Sequence, residues 1–131
     1  MNISLTDKES QIFYETIDAE HHCVINEYDY STCRCPGKKR REGVAKYARP
    51  IIDKWEKTQK FTPGMNFIDL ENIKACNLDL TAEEIKYSKE LLDREAKGLR
   101  KELNKVSKPY TGAYQLYDDT AVIIEGIIAR I

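Results

Sequence analysis

The stretch from about 82 to 107 constrains the fold most, because its apolar residues recur at helical spacing. Leu80-Thr81-Ala82-Glu83-Glu84 places a hydroxyl just before the first turn and a carboxylate three residues later, the pattern of a capping box. Apolar side chains then follow in a heptad pattern: Ile85, Leu92, Ala96, Leu99, Leu103 and Val106. We therefore predict a long helix over about 82–107, which Lys108-Pro109 ends.

Three further elements follow from local patterns. A second capping box, Leu5-Thr6-Asp7-Lys8-Glu9, predicts a capped N-terminal helix over about 7–19. Residues 22–35 are rich in β-branched and aromatic side chains, so we predict a short extended or hairpin region there, followed by a Pro36-Gly37 turn. Apolar residues at helical spacing predict a helix over about 42–59, which Pro50 interrupts because proline lacks the backbone donor. The interruption is either a kink or a division into two short helices, with Pro50 at the first position of the second.

The C-terminal segment, 121–131, is apolar nearly all round, which predicts that it is buried or contacts a partner. Asp118-Asp119-Thr120 favours a helix after it, with a strand as the alternative, while residues 113–117 have the pattern of a strand. The elements together predict an α+β fold that is mostly α. A length of 131 residues predicts a single small domain over 1–131.

Several protein classes are disfavoured by the sequence. It has no apolar run of about 18 residues, so we expect no membrane partner. Acidic residues throughout the first 20 positions argue against a secretory signal, and we expect a cytoplasmic protein with reduced cysteines. Common nucleotide-binding, hydrolase and metalloprotease motifs are missing, which favours a non-enzymatic role.

The formal net charge of −1 conceals a strong segregation of charge. Residues 1–33 carry a net charge of −6 and residues 34–60 a net charge of +7. The basic residues that we predict to contact a partner are Lys38, Lys39, Arg40, Arg41 and Arg49. Their partner would be an anionic macromolecule, either nucleic acid or an acidic protein surface. The alternative is that the acidic and basic blocks neutralise each other within the protein.

Aromatic side chains near the basic segment could stack on bases if they face the same way. The candidates are Tyr28, Tyr30, Tyr47 and Trp55.

Three of the four cysteines and both histidines lie within residues 21–35. Zinc takes four nitrogen or sulfur ligands, and the candidate ligands are Cys23, Cys33, Cys35 and Cys76, with His21 or His22 able to replace one. The spacing matches no zinc finger or ribbon, so the cofactor is either none or zinc. Without metal, Cys23 and Cys76 would be small buried hydrophobes. Cys33 or Cys35 could be a reactive thiol beside the cations.

The leading hypothesis is a non-enzymatic binding or regulatory protein that uses segment 34–60 to contact an anionic partner. The Lys-, Ile-, Tyr- and Glu-rich composition suggests an accessory protein of a phage or mobile element. One alternative is a zinc- or thiol-dependent enzyme centred on residues 21–35. Another is an inhibitor or adaptor that acts through the apolar C-terminal segment. Either that segment or the long helix could also form a homodimer.

Overall fold

A computed structural model describes residues 1–30, 32–59, 72–105 and 112–131. Its elements, in chain order, are β1 (Asn2–Leu5), α1 (Asp7–Ile25), α2 (Lys38–Gly43), a π-helical turn (Val44–Ala48), α3 (Arg49–Thr58), β2 (Cys76–Asp79), α4 (Ala82–Asn104) and α5 (Gly112–Arg130). The fold is α+β and mostly helical, as predicted.

The two strands form a small antiparallel sheet in which Asn2 lies opposite Asp79 and Leu5 opposite Cys76. Side chains alternate between the two faces of the sheet, so Ile3 and Leu5 are buried while Asn2 and Ser4 are exposed. Neither strand was predicted, because each is four residues long and its partner is more than 70 positions away.

Both predicted capping boxes are present. The Thr6 hydroxyl accepts a hydrogen bond from the Glu9 N–H at 3.2 Å, and the Glu9 carboxylate accepts one from the Thr6 N–H at 3.0 Å. Thr81 and Glu84 make the same pair of bonds at the start of α4. Burial raises the pKa of Glu84, but the bonds from the Lys54 ammonium at 2.6 Å and from the Thr81 N–H outweigh it and lower this pKa overall.

α1 is longer than predicted. It continues to Ile25, so residues 22–25 are helical and the predicted extended region at 22–35 is wrong over that part. After α1 the chain makes turns that contain one antiparallel bridge, between Asp29 and Arg34. Near the end of α1, buried Glu20 forms ion pairs with Arg40 and Arg94, and such tertiary contacts override local preference.

Pro50 does not break the helix that contains it. The π-helical turn precedes it, and in that turn the Arg49 N–H donates to the Val44 carbonyl five residues back. Pro50 therefore lies in the first turn of α3, where a missing N–H costs least. The helical region starts at Lys38, four residues before the predicted start at about 42, so residues 38–41 lie on a helix that continues through the π-helical turn into α3.

α5 begins earlier than predicted, at Gly112, so the predicted strand at 113–117 is wrong. Residues 113–117, which have the pattern of a strand, are helical, and Asp118-Asp119-Thr120 lies inside the helix instead of capping it. Arg100 of α4 binds Asp118 at 2.7 Å and Glu125 at 2.5 Å, and these contacts hold the segment against α4. The predicted helix over 121–131 is confirmed to Arg130.

The core lies between α1, α3, α4, α5 and the inner face of the sheet. Trp55 is 1% exposed and stacks on Tyr14 with ring centroids 4.2 Å apart. Its indole N–H donates to the Ser10 hydroxyl at 2.9 Å, and that hydroxyl lies 3.4 Å from the Cys76 sulfur. Trp55 thus joins α3 to α1 and, through Ser10, to β2.

The predicted apolar faces are largely used in this core. Ile85, Leu92, Ala96 and Leu103 of α4 are buried, as are Ala121, Ile124 and Ile127 of α5. Homodimerisation through either helix stays a prediction. Val106 and the predicted helix end at Lys108-Pro109 lie outside the described residues.

No described helix is both long enough and apolar enough to cross a membrane.

Candidate functional site

Arg40 of α2 reaches into the protein instead of into solvent. Its Nε donates to a Glu20 carboxylate oxygen at 3.1 Å, its Nη1 donates to Asp29 at 2.8 Å, and its Nη2 donates to the other oxygen of Glu20. The Glu20 side chain is 4% exposed and that of Asp29 is 8% exposed. The hydrogen bonds that Arg40 donates to Glu20 raise the pKa of Arg40, so it remains a cation.

Arg94 of α4 completes the arrangement by donating to Glu20 at 3.2 Å. We call Glu20, Asp29, Arg40 and Arg94 the anchor cluster. It contains two carboxylates and two guanidinium groups, so its formal charges balance. It joins α1, the turn after α1, α2 and α4, and therefore fixes the position of the basic helix.

The other cations of the predicted run are exposed. Lys38, Lys39 and Arg41 lie on α2, and the Lys38 ammonium is 3.8 Å from Glu42 with its side chain 82% exposed. Within the described ranges, Lys39 and Arg41 form no ion pair. Charge neutralisation within the protein therefore involves Arg40. The side chains of Lys38, Lys39 and Arg41 remain exposed and can contact a partner.

Arg49, also predicted to contact the partner, follows the π-helical turn. It is exposed at the start of α3, near His21. Burial lowers the pKa of His21, and the charge of Arg49 lowers it further. The role of Arg49 in contacting a partner stays a prediction.

The turn before α2 presents two tyrosines to solvent. Tyr28 is 36% exposed and Tyr30 is 81% exposed, and their rings meet edge to face with centroids 4.8 Å apart. The turn contains left-handed residues at Glu27 (φ 56°) and Cys33 (φ 54°). The Asp29 N–H donates to the Arg34 carbonyl at 2.8 Å, and the Asp29 carboxylate binds Arg40. One residue therefore both closes the turn and attaches it to α2.

The other aromatic candidates face the interior. Trp55 is in the core, and Tyr47 packs against Tyr87 with ring centroids 5.3 Å apart. Of the four aromatic side chains named from the sequence, Tyr28 and Tyr30 are exposed, Tyr47 is half-buried and Trp55 is buried.

A cavity of about 570 Å³ adjoins the anchor cluster on the side of the π-helical turn. Its lining includes Lys39, Lys46, Tyr47 and Tyr87. The Tyr87 hydroxyl is buried without a hydrogen-bond partner in the described part of the chain, and burial raises its pKa to about 12. The volume is in the range of small-ligand pockets, and π-helical turns frequently occur at functional sites.

The structure does not bring the four cysteines together. Cys76 is buried in β2, Cys23 is half-buried in α1, and Cys33 and Cys35 are exposed in the turn. Burial raises the pKa of the Cys23 thiol, which disfavours the thiolate that a metal needs. Zinc binding by these residues stays a prediction, and their arrangement does not favour it.

A different group of ligand atoms is close together. Among the described residues, the one set of three or more candidate metal ligands is Asp18, His21 and His22.

Sequence reasoning missed the carboxylates and the second arginine of the anchor cluster. The charge segregation predicts that some acids of residues 1–33 meet bases of residues 34–60, but it does not say which. Arg94 is 54 positions from Arg40, and no local pattern connects them.

No protein-family model matches the chain, and no match is found among curated proteins or solved structures.

Proposed function

We propose that this is a non-enzymatic binding protein that holds single-stranded nucleic acid against α2 and the turn that carries Tyr28 and Tyr30. One observation carries the proposal. Two exposed tyrosine rings lie in a turn that the Asp29–Arg40 ion pair fastens to a helix with exposed cations. Protein surfaces that bind single-stranded nucleic acid combine the same two features: aromatic rings that stack on bases, and cations that follow the sugar-phosphate backbone.

The cations of α2 would meet phosphates. Lys38, Lys39 and Arg41 have no apolar packing role, since each is exposed. Phosphate neutralisation releases condensed counterions, so a local patch can bind a polyanion although the whole chain carries a net charge of −1.

Tyr28 and Tyr30 would stack on bases. Stacking on an aromatic ring contributes roughly 1–3 kcal/mol per base and depends little on base identity. This role predicts tolerance of sequence, with a preference for unpaired strands whose bases are free to stack.

Arg40 acts as a positioning residue in this proposal. Its guanidinium group spans two carboxylates through three donors, a geometry that lysine lacks. It holds the tyrosine-bearing turn beside the basic helix without touching the nucleic acid.

An acidic protein partner would use the same cations but has no need of exposed rings, so the tyrosines favour nucleic acid. An adaptor role for α5 is less favoured because Ala121, Ile124 and Ile127 are buried in the protein's own core. A thiol- or zinc-dependent enzyme at 21–35 is less favoured because the cysteines there are dispersed.

Variants of the basic helix and of the turn test the proposal. The triple variant Lys38→Ala, Lys39→Ala and Arg41→Ala should weaken binding of a fluorescent oligothymidine at least about tenfold, because it removes the phosphate contacts. Tyr30→Ala should weaken binding by about tenfold through the loss of one stacking ring. Both effects are measured by fluorescence anisotropy.

The matched control is Lys57→Ala, Lys86→Ala and Lys101→Ala, which removes the same charge from exposed sites outside the turn and α2. It should bind within about twofold of the parent, because these lysines make no phosphate contact in the proposal. Equal losses in both triple variants, or parental binding by the α2 triple, would refute the proposal. Loss in the α2 triple with parental binding by Tyr28→Ala and Tyr30→Ala would refute the stacking role of the tyrosines, since phosphate contacts alone would then account for binding.

A further inference from the structure

Three side chains with metal-binding atoms converge on the outer surface of α1, one to two turns before its end. Asp18 lies one helical turn before both His21 and His22, at the i, i+3 and i, i+4 spacings that place side chains on one helix face. An Asp18 carboxylate oxygen is 3.9 Å from His21 Nδ1, and its other oxygen is 3.1 Å from His22 Nδ1.

These separations suit a common ion. Zinc lies about 2.0–2.2 Å from histidine nitrogen and carboxylate oxygen, which puts two ligands of a tetrahedron about 3.3 Å apart. One ligand atom from each of the three residues lies within 4.8 Å of the other two. His22 Nδ1 also lies 3.0 Å from the Asp18 backbone carbonyl, a contact that metal binding through this nitrogen would replace. Small side-chain rotations would therefore bring all three ligand atoms onto one ion without a change in the helix.

The carboxylate of this group is held in place by its neighbours. Tyr14 forms a hydrogen bond with Asp18, and Tyr14 is itself stacked on buried Trp55. Support of this kind orients a ligand before the metal arrives. The ligand side chains are partly open to water, with His22 60% exposed and Asp18 22% exposed.

The charges around the group are mixed. Asp53 and Glu56 of α3 lie close enough to act on His21 and Asp18, and Arg49 acts on His21 with the opposite sign. The two acids outnumber the one base, so the surroundings favour a cation.

We propose that Asp18, His21 and His22 bind one divalent transition-metal ion of the Zn²⁺ class, with the remaining position open to water. Oxygen and imidazole ligands suit Zn²⁺, Co²⁺ and Ni²⁺ better than Ca²⁺ or Mg²⁺. The site uses none of the four cysteines and does not depend on the proposed nucleic-acid function.

Metal titration of the full chain tests this site. Calorimetry of the metal-free protein with Zn²⁺ should give one ion per chain. Asp18→Asn and His22→Gln should each weaken binding by more than about tenfold, because each removes one of three ligands. Cys33→Ser combined with Cys35→Ser is the control, and it should bind Zn²⁺ as the parent does.

The absorption spectrum of the protein with Co²⁺ in place of Zn²⁺ is a second measurement, and it identifies the ligand atoms. Nitrogen and oxygen ligation gives visible d–d bands without the near-ultraviolet charge-transfer band of a thiolate. A thiolate band, or loss of binding in the double cysteine variant, would overturn the proposal in favour of the cysteines. Unchanged affinity in both Asp18→Asn and His22→Gln would also overturn it, since the ion would then be adventitious. Far-ultraviolet circular dichroism of each variant shows that α1 is intact.

Discussion

Replacing Arg40 with alanine should lower the free energy of unfolding by about 3 kcal/mol, because it leaves two buried carboxylates without their main cation. Glu20 would retain only Arg94, and Asp29 would lose the pairing that attaches the turn to α2. Arg40→Lys should have an intermediate effect, since an ammonium cannot replace three directed donors. Urea unfolding at pH 7 measures both changes.

Arg41→Ala is the matched control for this prediction. It removes the same type of charge one position along the same helix, from an exposed side chain. Its effect should be within about 0.5 kcal/mol of zero. If the two alanine variants lose equal stability, the anchor cluster does not have the structural role assigned to it.

Replacing Trp55 with alanine should cost about 4 kcal/mol, since the side chain is 1% exposed and its removal leaves a cavity between α1 and α3. The Ser10 hydroxyl would also lose the hydrogen bond from the indole N–H. Trp55→Phe should lose less, because it retains an aromatic ring against Tyr14.

Unfolding of these variants is followed by far-ultraviolet circular dichroism, because the chain has no second tryptophan to serve as a fluorescence probe. Tyr30→Ala is the control, as its ring is 81% exposed and its loss should change stability by less than about 0.5 kcal/mol. A loss below about 1 kcal/mol for Trp55→Ala would contradict the packing described here.

The helix starts could be predicted from sequence because their determinants are local. Thr6 with Glu9, and Thr81 with Glu84, satisfy each other's backbone groups within four residues. The heptad pattern of α4 is local in the same sense. α1 and α4 therefore start where the sequence predicts them.

The strands and the end of α1 depend on distant residues. Leu5 pairs with Cys76, and Glu20 at the far end of α1 is held by Arg40 and Arg94. Without those partners, His22 to Ile25 have side chains that suit a strand. Because the helix predicted for α1 ends at about residue 19, the sequence does not predict that Asp18, His21 and His22 lie on one face of a helix.

The sequence predicts only part of the candidate interface. The charge run drew attention to residues 38–41, but only the structure separates Arg40 from Lys38, Lys39 and Arg41. The separation depends on which side of α2 faces Glu20, and nothing in the run itself specifies that. Exposure likewise selects Tyr28 and Tyr30 from the aromatic residues near the basic segment.

The most direct test of the central claim is the salt dependence of binding between the parent protein and a labelled oligothymidine. With three exposed cations on α2, the logarithm of the affinity should fall with the logarithm of salt concentration at a slope of about −2. Saturable binding that weakens at this slope, and that an unlabelled single strand displaces better than a duplex of equal length, is the predicted result. Failure to bind at low salt would contradict the claim, and so would an affinity that does not change with salt.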